Sequence, residues 1–155
     1  MRLEDKVTII TGAGGGMGRK AATMFAAEGA RVVCVDVSEE MAESAAEDVR
    51  NAGGEATSVA ADVSNEDEAR RMVDHALTTF GRVDVLFNVA GIQDQMIPAV
   101  ELKEHVCDRV FDINVRGTAF VIVAPGAIAL TRIPRSATSK AIWRVKLDTA
   151  PFDAA

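Results

Sequence analysis

The chain has 155 residues, with 23 acidic side chains against 17 basic ones and a formal net charge of -6. With 48% hydrophobic and 26% charged residues it has the mix of a soluble globular protein, long enough for a single domain over residues 1–155 and short for two. The acidic balance argues against nucleic acid or an anionic membrane surface as partner. The charged start, Met1 to Lys6, and the lack of any run near ~18 apolar residues predict no signal core and no membrane span, and two cysteines without a disulfide framework make a reducing, cytoplasmic setting the default expectation.

In chain order, Lys6 to Thr11 predicts a strand, almost wholly apolar as in a strand buried on both faces. It runs into a glycine-rich turn, Gly12 to Gly18. A small-residue helical pattern follows to Glu28, with Gly29 as its stop. Arg31 to Asp36 is a second continuous β-branched strand that ends in an acid. A helix from Ser38, its cap, to Asn51 comes next, closed by Gly53-Gly54. Ala56 to Ala61 predicts a third strand, followed by Asp62-Val63. Ser64 then caps a helix with Asp67 at the capping-box position and apolar residues at helical spacing up to Phe80; Gly81 terminates it. Val83 to Phe87 is a fourth strand, left through Asn88-Val89-Ala90-Gly91. After a loop to Ala99, a long helix is expected from Glu101 or Leu102 to Thr118, with Val106, Val110, Phe111, Ile113 and Val115 on its apolar side. Ala119 to Ala124 reads as a further strand ending at Pro125-Gly126. From Leu130 onward no pattern stands out in a basic tail containing Trp143.

Strand and helix thus alternate through the first ninety residues with short connections, which predicts an α/β fold: a doubly wound parallel sheet with helices on both faces. Ligands of such sheets bind beyond the carboxyl ends of the strands. There the sequence places Gly12 to Gly18, Asp36, Asp62-Val63 and Asn88 to Gly91. The spacing of the turn is T-G-x-x-x-G-x-G, on Thr11, Gly12, Gly16 and Gly18, since Met17 stands where G-x-G-x-x-G would need its last glycine. Glycines let an anion approach bare N–H groups at a helix start. Asp36, 20 residues after Gly16, is placed to accept from ribose hydroxyls and to repel a 2′-phosphate, which favours NAD over NADP. Cys34 reads as a small buried hydrophobe, and neither it nor Cys107 has partners at metal-ligand spacing. His75 and His105 read as solvated, and no metal site is expected.

The ordered set Thr11 to Gly18, Asp36, Asp62-Val63, Phe80-Gly81-Arg82-Val83-Asp84, Asn88-Val89-Ala90-Gly91 and Asp112-Ile113-Asn114-Val115-Arg116-Gly117 resembles the classical short-chain dehydrogenases/reductases over residues 3 to 120. Val89 replaces the second asparagine of that family's usual N-N-A-G. The resemblance implies a Rossmann fold, NAD as cofactor, and hydride transfer between nicotinamide and a small-molecule alcohol or carbonyl substrate. It also implies roles. Gly12, Gly15, Gly16, Met17 and Gly18 would hold the pyrophosphate, Asp36 the adenosine ribose, and Asp62 and Val63 the adenine. Asn88, Ala90 and Gly91 would line the path to the nicotinamide ribose, and Asn114 would organise a proton-relay water.

Family catalysis also needs a serine and a Y-x-x-x-K pair, in which lysine lowers the pKa of the tyrosine. This chain contains no tyrosine. Ser136 to Lys140 resembles the pair with serine in the tyrosine position, and a serine hydroxyl is far less acidic than a phenol. Val121 to Ile128 resembles the later strand and P-G turn, which in the family follow the Y-x-x-x-K pair but here precede Lys140. The expectation is therefore a Rossmann sheet incomplete on its C-terminal side, with the segment that carries the catalytic serine and tyrosine lost near Phe120-Val121. The open sheet edge this would leave invites self-association into a homo-oligomer. A non-catalytic NAD-binding or scaffold module on the same fold is the rival expectation.

Overall fold

A computed structural model describes residues 1–93, 96, 98 and 100–123. In chain order its elements are β1 (Val7–Thr11), α1 (Gly16–Ala27), β2 (Arg31–Asp36), α2 (Glu39–Asn51), β3 (Glu55–Ala60), α3 (Glu66–Phe80), β4 (Val85–Asn88) and α4 (Glu104–Phe111). A π-helical turn (Asp112–Gly117) and α5 (Thr118–Val123) continue α4 without a break. The strands form one parallel sheet in the order β3-β2-β1-β4. This is a Rossmann-like sheet flanked by helices. Because β2 and β4 lie on opposite sides of β1, the strand order reverses there, and the crevice of such a sheet opens beyond the C-terminal ends of β1 and β4.

Alternate residues of each strand feed opposite cores. Ile9, Val33 and Val35 pack with Ala69, Met72, Val73 and Ala76 of α3 and with Val121 of α5. Ile10, Val32 and Cys34 pack with Ala22 of α1 and with Ala45, Ala46 and Val49 of α2. A strand covered on both sides has no polar face, and that is why β1 and β2 read as continuous apolar runs. Cys34 is fully buried, and burial pushes its thiol up to about 12, so it serves as a packing group.

Asp84 fixes the start of β4. Its Oδ2 accepts from Val7 N (2.9 Å), its own N–H donates to Val7 O (2.9 Å), and Arg82 and Lys6 flank its Oδ1. Burial alone would raise this carboxyl. The bonds from Val7 N–H and Arg82, with Lys6, outweigh it and hold the pKa below the usual aspartate value. The strand therefore begins at Val85, two residues after its expected start at Val83.

Other expectations are corrected. The strand expected over Ala119 to Ala124 is helical through Val123, where α5 ends. Val121 is fully buried in the cluster shared with α3, and packing of one helical face overrides the β preference of Phe120-Val121-Ile122-Val123. Gly117 sits buried in the π turn, inside this helical run. The long helix begins at Glu104, and Phe111 and Val115 lie on its exposed side, 59% and 57% accessible. Asn65 caps α3 in place of Ser64, accepting from Asp67 N (3.0 Å) and Glu68 N (3.3 Å), while the Ser64 hydroxyl donates to Asp62. His75 bonds Thr57 (3.0 Å) across to β3. The Pro125-Gly126 turn, Trp143 and Ser136 to Lys140 lie outside the described residues.

Candidate functional site

The glycine turn is shaped by close approaches that only glycine permits. Gly12 has φ +66°, and a Cβ on it would lie 2.8 Å from Ala90 N. A Cβ on Gly18 would lie 2.2 Å from Gly12 O, so the first turn of α1 is pressed onto the loop that precedes it. Gly14 N–H donates to Asp36 Oδ2 (3.0 Å), and Ser38 N–H donates to Asp36 Oδ1 (3.2 Å). One carboxylate at the end of β2 thus ties the glycine turn to the start of α2.

The N-terminus of α1 is open. Gly15 is its N-cap and brings no side-chain bond, and its first turn holds no acid. The first backbone bond of the helix joins Arg19 N to Gly15 O (2.7 Å), which leaves the N–H groups of Gly16, Met17 and Gly18 before it. Beyond its chain neighbours and the backbone of its own helix, nothing lies within 4 Å of a Cβ placed on Gly16, and Met17 is 77% exposed at the lip. One position on, Arg19 leans across to α2, bonding Asp48 (2.5 Å) and Ser44 Oγ (2.9 Å). The bond from Arg19 holds the Asp48 carboxyl below its usual range.

Across the crevice, Thr11 is the hub. Its buried hydroxyl donates to Asn88 Oδ1 (3.3 Å) and accepts from Val89 N (3.2 Å) and Ala90 N (3.3 Å). Gly91 continues the path, and a Cβ there would meet Asn114 Oδ1 at 3.1 Å. The Asn114 amide closes on the next residue: Oδ1 accepts from Ile92 N (2.9 Å) and Nδ2 donates to Ile92 O (2.8 Å). Asn114 lies in the π turn, a distortion that often marks functional positions in helices. Its backbone oxygen accepts from the Thr118 hydroxyl (3.0 Å).

The structure therefore joins Asp36, Gly14, Gly12, Ala90, Gly91 and Asn114 into one connected rim along the C-terminal edge of the sheet. Asp62 lies on the same edge. Its Oδ1 accepts from Ser64 N (2.9 Å) and Ser64 Oγ (2.7 Å), and Glu68 takes its N–H (2.7 Å). Val63 is 7% exposed, with its side chain against the π turn, where a Cβ on Gly117 would come within 2.8 Å of it. The Thr11 hub and the Gly14–Asp36 bond escape a sequence reading, since their partners stand 77 and 22 residues away. The only local trace of them is a threonine at a strand end and an extra glycine in the turn.

Comparison with known proteins bears on the family and the fold. The family model for short chain dehydrogenases matches residues 6–133. An uncharacterized oxidoreductase of Thermotoga maritima is 41% identical over 120 residues, covering 76% of this chain and 45% of the relative. Secoisolariciresinol dehydrogenase of Forsythia intermedia is 38% identical over 117 residues, 75% of this chain and 42% of the relative. The crystal structure of a hydroxysteroid dehydrogenase from Escherichia coli superposes with a TM-score of 0.74 at 32% identity, covering 78% of this chain and 51% of that one. The chain spans about half the length of the curated relatives it matches.

Proposed function

The chain belongs to the short-chain dehydrogenase family, and from that premise we propose that it binds NAD(H) along the rim from Asp36 to Asn114 as part of an oxidoreductase acting on an alcohol or carbonyl. The observation that carries the reading is the open N-terminus of α1, set beside a carboxylate at the end of β2. A pyrophosphate needs backbone N–H groups reached without side-chain obstruction, and the N–H groups of Gly16, Met17 and Gly18 with the clear space over Gly16 fit that need. Gly12 and Gly15 shape the approach. Asp36 accepts from ribose hydroxyls with the lone pairs left beside Gly14 N–H and Ser38 N–H, and its charge disfavours a 2′-phosphate. Asp62 and Val63 bound the adenine end, and Asn88, Ala90 and Gly91 the nicotinamide ribose end.

When bound, the nicotinamide supplies the hydride donor or acceptor. The protein's part is to hold it against the β4 exit. Thr11 fixes Asn88 to Ala90, and Asn114, acting as a positioning residue, clamps Ile92 so that the Gly91 backbone stays close to the site. Proton transfer to or from a substrate oxygen needs a group of suitable acidity, which the family finds in a tyrosine; this sequence has none. A second reading is a chain that holds cofactor without turnover.

Titration with NADH followed by cofactor fluorescence tests the binding. Saturation below millimolar cofactor is expected; its absence overturns the proposal. Asp36→Ala is expected to weaken NADH about tenfold, the worth of a hydrogen bond to a charged group. Asp36→Asn, which keeps an oxygen for Gly14 N–H, is expected to erase the preference over NADPH. An unchanged preference removes Asp36 from this role. A turnover assay across carbonyl substrates separates enzyme from holder.

A further inference from the structure

A cleft of about 300 Å³ opens beside the rim, between the β4 exit and α4; among the described residues it is lined by Ile92, Gln93, His105, Val106 and Arg109. We propose that this cleft is a second ligand site, which takes a small carboxylate with a short apolar body. Arg109 carries the inference. Every other described arginine is committed: Arg2, Arg19, Arg50, Arg70, Arg71, Arg82 and Arg116 are ion-paired, and Arg31 lies over the Phe80 ring, 5.5 Å from its centroid. Among the described residues the guanidinium of Arg109 has neither kind of partner, nor do the side chains of His105 and Gln93 have a hydrogen bond. In a chain of net charge -6, acids are abundant, and Arg109, exposed at the cleft without one, is available to an outside anion.

The lining chemistry matches that anion. His105 and Arg109 stand four apart on α4, so their side chains share one helical row. A guanidinium offers parallel donors to a carboxylate, and the imidazole and the Gln93 amide add further donors. Ile92 and Val106 supply apolar wall for a few carbons. Glu104 and Asp108 occupy the neighbouring row of α4 and do not line the cleft, and Asp112 is held by Arg116 (2.8 Å). Ile92 belongs both to this cleft and to the Asn114 clamp, so a ligand here would sit directly against the rim.

The test is titration of the full chain, without cofactor, with butyrate and with its uncharged isostere butyramide, read by NMR shifts of Ile92 and Val106. A saturable response to butyrate is expected, at least tenfold tighter than to butyramide. Arg109→Gln is expected to weaken butyrate tenfold or more, and His105→Asn severalfold. Equal response to acid and amide, or no saturable response at these residues, overturns the proposal, and this comparison needs no variant to fold. Since NADH is absent throughout, the outcome is independent of the cofactor reading.

Discussion

The N-termini of α1 and α3 start from the same problem and solve it in opposite ways. Each helix begins with backbone N–H groups that have no partner within it. At α3 the chain supplies its own: Asn65 caps Asp67 and Glu68, and Glu66, Asp67 and Glu68 place carboxylates in the first turn. α2 does likewise with Ser38, Glu39 and Glu40. At α1 there is no capping side chain, no acid, and a glycine at the cap and at the first and third helical positions. Leaving the donors bare with glycine at the cap costs little stability, roughly a few tenths of a kcal/mol against a capping side chain. The comparison teaches that α1 leaves open, without cap or acid, an end that α2 and α3 close, which is what the proposed pyrophosphate site requires.

The strongest way to break the comparison is to remove the turn that exposes the α1 donors. In Gly18→Ala the new Cβ meets Gly12 O at 2.2 Å, and both contacting groups are backbone, so the loop must move. Overpacking of this kind costs roughly 1–3 kcal/mol or more. We expect NADH affinity to fall at least a hundredfold, with a lower melting temperature by circular dichroism. A fully stable variant with unchanged binding would show that the close approach is incidental.

A subtler variant makes α1 resemble α3. Gly16→Asp has room, since beyond its chain neighbours and its own helix backbone nothing lies within 4 Å of the added Cβ, and it puts a carboxylate into the first turn. Replacing glycine within a helix and adding favourable charge at its positive end should together stabilise the chain by roughly 0.5–1.5 kcal/mol. The same carboxylate competes with pyrophosphate, so NADH affinity should drop tenfold or more while the melting temperature rises. Loss of both, or gain of both, would contradict the view that the donors are kept free for a ligand.

How far this was legible in the sequence follows from the range of the interactions. β1 and β2 were readable because burial on both faces writes itself into every residue of Ile9-Ile10 and Val32 to Val35. The strand-end residues Gly12, Asp36 and Asn88 were readable because parallel topology fixes which edge they share. Phe120 to Val123 misled because the run favours a strand locally, while Val121 is claimed by α3 only in the folded chain. The cap at Asn65 was displaced from Ser64 because the serine is already spent on Asp62, a short-range competition that spacing alone does not rank. The cleft at Arg109 was illegible for the reason that makes it useful: it is defined by partners that Arg109 lacks.

The smallest expected effect tests the other side of the comparison. Asn65→Ala removes the acceptor that Asp67 N–H and Glu68 N–H share, and α3 should lose roughly 1 kcal/mol. The acids of its first turn remain to offset the dipole, so the helix persists, and the loss should appear in the denaturation midpoint and not in helix content. NADH affinity should stay within twofold, since the bonds of Asn65 lead to the rim only by way of Asp62, directly from Asn65 N to Asp62 O (3.0 Å) and through Glu68, whose carboxylate takes the Asp62 N–H (2.7 Å). If Asn65→Ala instead costs binding as much as stability, then the capped and uncapped helix ends are coupled through Asp62, and the division between a structural and a ligand-holding terminus does not hold.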